Sequence, residues 1–203
     1  MDLPILYSYR RCPYAMRARM ALHYAGIDVA IRDISLREKP KHLLSISPKA
    51  TVPVLVLSEQ DVIDESLAIM HWALSQNDQD GWLNVDRKLA EQLIIENDTS
   101  FKKSLDAYKY AERYPEKTQA EYRAEGEVFL QKLETRLSNT IGLMGQLPTM
   151  VDIAIFPFIR QFKGVDSQWF SDTAYPKLND WLTKLVESEL FLSVMKKHPT
   201  YLD

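Results

Sequence analysis

The chain reads as an α/β N-terminal domain followed by an all-helical C-terminal domain, and three observations predict this. Short apolar runs alternate with helical patterns over the first 77 residues of 203. Gln76 to Gly81 is polar and turn-rich, which places a linker at 78–85, and from residue 86 to 203 the apolar residues recur at helical spacing with no convincing strand pattern among them. Strand, helix and strand in succession predict a βαβ unit, whose two strands are parallel and whose connection is right-handed.

Leu3-Pro4-Ile5-Leu6-Tyr7 is short, apolar and aromatic, as a strand requires, and Ser8 suits the turn that follows. Pro13 then fits a first helical position, because its missing N–H would be unpaired there in any case. Met16, Met20, Ala21, Tyr24 and Ala25 continue an amphipathic stripe, and Gly26 is placed to end it. Residues 27–34 alternate as a second strand, and residues 37–47 predict a short irregular helix or loop. Val54 to Leu57 is a buried-strand pattern, and Pro53, unable to donate a ladder hydrogen bond, must begin that strand or lie on an edge. Val62 and Ile63 return as a short strand. Asp64-Glu65-Ser66 opens a helix through Leu74, with Ser66 or Asp64 available as its cap.

In the second domain Leu89, Leu93, Ile94, Asn97, Phe101, Leu105 and Tyr108 make one long helical stripe. Phe129, Leu130, Leu133, Leu137 and Ile141 make another, with Pro115 between them. Thr149-Met150-Val151-Asp152 has the form of a capping box, with Asp in place of the usual Glu or Gln. The helix it opens is apolar nearly all round, which predicts a central, buried position. Residues from Trp181 to Val194 supply one or two closing helices.

Cys12 is the only cysteine, so no internal disulfide and no Cys-based zinc site can form, and the four histidines fall at no ligand-like spacing. We expect no metal. A lone cysteine often serves only as a small buried hydrophobe. Cys12, however, sits at the predicted helix start beside Arg10, Arg11, Arg17 and Arg19. The unpaired N–H groups and the positive end of the helix dipole favour a thiolate there, and such surroundings lower a cysteine pKa from about 8.5 into roughly the 3.5–7.5 range.

A hydrophobic content of 46%, a charged content of 26% and a net charge of −3 are ordinary for a soluble globular protein. They give no electrostatic case for nucleic acid or an anionic membrane. No apolar run reaches the roughly 18 residues a membrane span needs, so a cytoplasmic location is expected.

These residues together resemble the glutathione transferase family and, within it, the cysteine-bearing omega-like group. The resemblance covers essentially the whole chain. Its most specific parts are Cys12-Pro13-Tyr14-Ala15 with Arg17 one turn on, Lys39-Pro40, Thr51-Val52-Pro53-Val54-Leu55, Asp64-Glu65-Ser66-Leu67-Ala68-Ile69, and the Thr149 to Asp152 box before Ile153. The resemblance implies a thioredoxin-like N-terminal domain, an all-α C-terminal domain, glutathione as co-substrate and a homodimer. It also implies a cis bond before Pro53. Val52 would pair through its backbone with the glutathione cysteinyl unit, Glu65 and Ser66 would hold the γ-glutamyl end, Lys39 would hold the glycine end, and Cys12 would face the glutathione sulfur. The chemistry is coherent, since two carboxylates suit a lysine and a helix N-terminus, and an ammonium suits a carboxylate. Two departures stand out: Ala50 replaces the family's usual glycine before the Val-Pro turn, and Ala15 stands where a dithiol glutaredoxin has its second cysteine.

Cys12 therefore points to monothiol, glutathione-dependent thiol transfer with a mixed disulfide or small electrophile. A conjugating transferase using Ser8 or Tyr9 is the nearest rival, and a non-catalytic interaction protein on the same fold is the other. A second-substrate pocket is expected between the domains, lined by Tyr14, Phe101, Tyr108, Phe162 and Trp169. The rate of Cys12 alkylation, followed against pH, is expected to reach its midpoint well below the unperturbed value of about 8.5; a midpoint at that value would count against the helix-start argument.

Overall fold

The computed structural model describes residues 3–172 and 174–202. It divides into two compact units, Met1–Gly81 with Ser188–Asp203, and Trp82–Glu187. The helical domain read as residues 86–203 therefore gives up its last stretch to the first unit.

The first unit is built on β1 (Ile5–Ser8), α1 (Pro13–Tyr24), β2 (Ala30–Asp33), α2 (Lys41–Ile46), β3 (Val54–Ser58), β4 (Asp61–Ile63) and α3 (Ser66–Gln76). The sheet order is β2-β1-β3-β4, with β1 and β2 parallel and the other two pairs antiparallel. The strand expected over residues 27–34 is shorter, because its pairing with β1 runs only from Ala30 to Asp33. Tyr7, Ile34, Leu43, Val54 and Val56 fill one core cluster.

Gly26, at φ 71°, ends α1. The N–H groups of Gly26 and Ile27 return to the carbonyls of His23 and Leu22, so two otherwise unpaired helix carbonyls are satisfied at a conformation that suits glycine. The amphipathic pattern read for α1 proves incomplete. Pro13 and all of residues 15–22 are buried, including Arg17 and Arg19.

In the second unit, α4 (Arg87–Glu96), a π-helical turn (Asn97–Phe101) and α5 (Lys102–Lys109) follow one another, so the expected single stripe is helical with its register shifted once. The unit continues with α6 (Gln119–Leu137), α7 (Met150–Lys163), α8 (Ser167–Asp172) and α9 (Pro176–Val186). Helix α6 ends before Ile141, which is exposed. Its start is a second capping box, Thr118 with Glu121. The closing helices number two, with α9 in this unit and α10 (Glu189–Val194) in the first. After α10 the chain returns to the sheet: Thr200 bridges Asp33 in parallel, and the Tyr201 N–H donates to the Asp33 carbonyl at 2.7 Å.

Helix α7 is buried along most of its length, as its apolar sequence requires. Its capping box is present, and Asp152 does more than cap. Its fully buried carboxylate accepts from the Thr149 N–H and hydroxyl at 2.8 and 2.9 Å, from the Leu143 N–H at 2.8 Å and from Trp181 Nε1 at 2.8 Å. Burial pushes the carboxyl above its ordinary value, and the four donors oppose that push. Asp152→Ala would leave several buried donors without an acceptor, at about 1–3 kcal/mol each. Equilibrium denaturation is expected to show a loss of at least about 3 kcal/mol, and a loss below roughly 1 kcal/mol would contradict this account.

Candidate active site

Cys12 is the N-cap residue of α1, with φ −72° and ψ 122°, and Pro13 is the first helical residue. The Cys12 N–H donates to the Tyr9 carbonyl at 2.9 Å, and the Cys12 carbonyl accepts the first helical bond, from Met16, at 3.0 Å. The backbone thus fixes where the side chain leaves the helix. The thiol is half-buried, and its Sγ lies 3.7 Å from the Val52 carbonyl oxygen. Cys12 and Val52, 40 residues apart in sequence, are therefore brought together.

The Val52-Pro53 bond is cis, and β3 starts at once with Val54. Ala50 adopts φ 48°, the left-handed conformation that a glycine would hold without strain, and it is buried. The replacement of glycine therefore leaves the turn's conformation intact at the expense of local strain.

Glu65, rather than Ser66 or Asp64, occupies the N-cap position of α3, and its side chain makes no capping bond. The exposed Glu65 carboxylate instead pairs with Lys49 Nζ. The partnership holds Lys49 above its ordinary pKa, first through the hydrogen bond and then through the opposite charge. Ser66 is the first residue of α3 and is buried, and its hydroxyl accepts from Arg17 Nη1 at 3.4 Å. The Arg17 guanidinium also lies over the Tyr14 ring, 5.3 Å from its centroid. Lys39 is half-buried just ahead of α2, whose N-cap position is Pro40. Lys49 is thus a functional candidate that sequence reasoning missed, and Arg17, read there only as positive charge near Cys12, meets the start of α3.

The residues expected to line a second-substrate pocket have different surroundings. Tyr14 is half-buried in the first unit, and the other four belong to the second. Phe101 and Phe162 are core residues, with ring centroids 5.6 Å apart, and Phe101 also meets Phe129 at 5.0 Å. Tyr108 packs on Phe162 at 4.8 Å and lines a cavity of about 390 Å³ with Gln119, Arg123 and Asp166. Trp169 is half-buried beneath the Arg123 guanidinium, 4.4 Å from the ring centroid. Among the described residues no group of three or more His, Cys, Asp or Glu is placed to hold a metal ion, and no helix is long and apolar enough to cross a membrane.

The mixed four-stranded sheet of the first unit and the helices of the second correspond to the two domains of a known family. Residues 6–81 match the model of the glutathione S-transferase N-terminal domain and residues 116–184 that of the C-terminal domain, so the chain belongs to this family. Within it the chain is omega-like. It is 24% identical over 200 residues to mouse (Mus musculus) glutathione S-transferase omega-1, covering 97% of this chain and 82% of that protein. It is 25% identical over 202 residues to omega-1 of Rattus norvegicus, covering 98% and 83%. Among solved structures, a glutathione transferase family member from Pseudomonas fluorescens pf-5 with two glutathione bound superposes with a TM-score of 0.76 at 19% identity, covering 96% of this chain and 92% of that one.

The left-handed backbone at Ala50 carries a measurable cost. Alanine in that conformation is disfavoured by roughly 1–2 kcal/mol, from which the larger entropy loss of glycine, about 0.5–1 kcal/mol, must be subtracted. Ala50→Gly is expected to raise unfolding stability by roughly 0.5–1 kcal/mol. A destabilised variant would show that the turn is held without strain.

Proposed function

We propose that the protein is a glutathione-dependent thiol transferase whose nucleophile is Cys12. The observation that carries this reading is the position of the Cys12 thiol, at the N-terminus of α1 and 3.7 Å from the Val52 carbonyl beside the cis-proline. The thiolate attacks the glutathione-side sulfur of a mixed disulfide, the S–S bond breaks, and the other thiolate leaves and takes up a proton. A second glutathione thiolate then attacks the Cys12–glutathione disulfide, which releases oxidised glutathione and restores Cys12. With a single cysteine in the chain, the cycle is monothiol.

Glutathione suits the groups around Cys12. Val52 offers backbone polar groups to its cysteinyl unit. The first N–H groups of α3, at Ser66, suit the γ-glutamyl carboxylate, because they have no partner within the helix. Glu65 suits the ammonium, in exchange with its exposed pairing to Lys49, and Lys39 suits the glycine carboxylate. Lys49 is a second cation within reach of the same end of α3. The reading also includes a homodimer, as the family resemblance implies. Of the two hydroxyls a conjugating enzyme would use, Ser8 is fully buried, which disfavours it, while Tyr9 is half-buried and keeps that alternative open to the test below.

The test compares reduction of a small glutathione mixed disulfide with conjugation of an aromatic halide, in the native protein and in Cys12→Ser. Disulfide reduction is expected to dominate and to fall on the order of 10³-fold or more in the variant, as for loss of a catalytic nucleophile. Retained reductase activity, or conjugation as the dominant and Cys12-independent activity, would overturn the proposal.

A further inference from the structure

One face of the sheet carries a chain of polar and aromatic contacts that the glutathione site does not use. Tyr7 and Arg32 are register partners on the parallel β1–β2 pair, so both side chains leave the same face. Arg32 Nη1 donates to the Tyr7 hydroxyl at 2.7 Å, and the same hydroxyl lies 2.7 Å from Nδ1 of His42, on α2. The Arg32 guanidinium also lies over two rings, 4.4 Å from the centroid of Tyr201 and 5.5 Å from that of Tyr7. Tyr201 meets the Tyr7 ring edge-on at 6.2 Å, and its N–H donates to the Asp33 carbonyl. Contacts therefore run without a break from residue 201 through β2 and β1 to α2.

Helix α2 has six residues, of which Leu43 alone is fully buried and Ile46 is partly buried against the same core cluster. A helix this short does not persist without tertiary contacts, so the bond to His42 is a large share of what fixes it. Lys39 leads directly into this helix through Pro40.

The bond between Tyr7 and His42 depends on charge. Arginine can only donate, so the Tyr7 oxygen accepts from Arg32 and the Tyr7 proton is available to His42 Nδ1. A neutral imidazole supplies the lone pair that this proton needs. A protonated imidazole has none, and it sets a second cation against a hydroxyl that Arg32 already holds. Tyr7 is fully buried, so water does not replace the lost partner. The titratable and charged groups on the elements packed around the imidazole are Tyr7 on β1, Arg32 on β2, Tyr201 at the end of the chain, and Lys41 with Lys39 on and before α2 itself; the residues of β3 are uncharged. No carboxylate among these groups favours the protonated ring.

We propose that His42 is a positioning residue that locks α2 to the sheet while its imidazole is neutral and releases it on protonation, so that the hold on the glycine end of glutathione weakens in mild acid. The released form binds one proton more than the locked form. Locking is therefore complete above the pH at which an imidazole in water titrates, about 6.5, and weakens by up to about tenfold per pH unit below it. The lock itself needs no glutathione, whereas its effect at the glycine end rests on the role proposed above for Lys39.

The test is amide hydrogen exchange at Leu44 and Ser47, whose N–H groups donate to the Pro40 and Leu43 carbonyls at 3.1 Å. Protection relative to an unstructured peptide at the same pH is followed from roughly pH 7.5 to 5, the range in which an imidazole changes charge. In the native protein it is expected to fall on the order of tenfold. His42→Asn, whose amide oxygen stands in for Nδ1 without titrating, should keep its protection level across the range. Tyr7→Phe keeps the ring in the core and removes the hydroxyl, so its protection should be low and level throughout. Calorimetric titration with S-methylglutathione, which has no thiol to ionise, is expected to show affinity falling with pH in the native protein but not in His42→Asn. Level protection in the native protein, or an equal fall in His42→Asn, would overturn the lock. Falling protection with unchanged affinity would uphold the lock and overturn the role of Lys39 at the glycine end.

Discussion

The first unit depends on burying α1 on nearly every side while its N-terminus leaves the Cys12 thiol half-buried. A helix so enclosed would normally be apolar all round, and this one carries two arginines inside. Each must be compensated, because an unpaired charge in an apolar interior is strongly unfavourable. Arg17 reaches Ser66 at the start of α3 and lies over Tyr14, while Arg19 reaches the Arg10 carbonyl and Met195 at the end of α10. The two side chains thus tie together the loop before α1, the start of α3 and the end of the closing helix.

The turn ahead of β3 supplies the other wall. Cys12 Sγ approaches the Val52 carbonyl, so the direction of that peptide group sets the contact. The same segment holds an alanine at a positive φ at position 50. Local strain on the order of 1 kcal/mol is small beside the burial and pairing of the neighbouring β3, and it persists only because the surrounding structure fixes the conformation. At the nearby start of α3, the exposed pair of Lys49 and Glu65 contributes little stability, since solvent screens it and ordering both side chains costs entropy. Its weakness leaves both side chains available to a charged ligand.

Much of this was legible in the sequence, because it depends on local chemistry. Cys12 and Pro13 at a helix start, Gly26 at its end, the Thr149 and Asp152 box, and the change from alternating strands to helices all follow from neighbouring residues. The cis bond at Pro53 came only with the family resemblance. The rest depends on residues far apart in the chain. Arg17 meets Ser66 across 49 positions and Arg19 meets Met195 across 176, and no periodicity marks either pair. The aromatic residues at 101 and 162 show the converse limit: a core stack and a pocket wall have the same composition, and only the observed burial separates them.

The placement of residues 188–202 with the first unit follows from the same constraint. Helix α10 is short, and among the described residues it contributes Met195 to Arg19 and buries Phe191 and Val194. Beyond it, Thr200 and Tyr201 pair with the Asp33 backbone, so that Arg19 and Asp33 are both met by one segment from the far end of the chain. Without that cover, water would reach Arg19 and Asp33 and screen their charges, because a charge in solvent acts far more weakly than one in a protein interior. The surroundings of Arg19 and Asp33 are therefore not a property of the βαβ unit alone. They are complete only when the chain, after passing through the whole helical unit, returns to close over the sheet where it began.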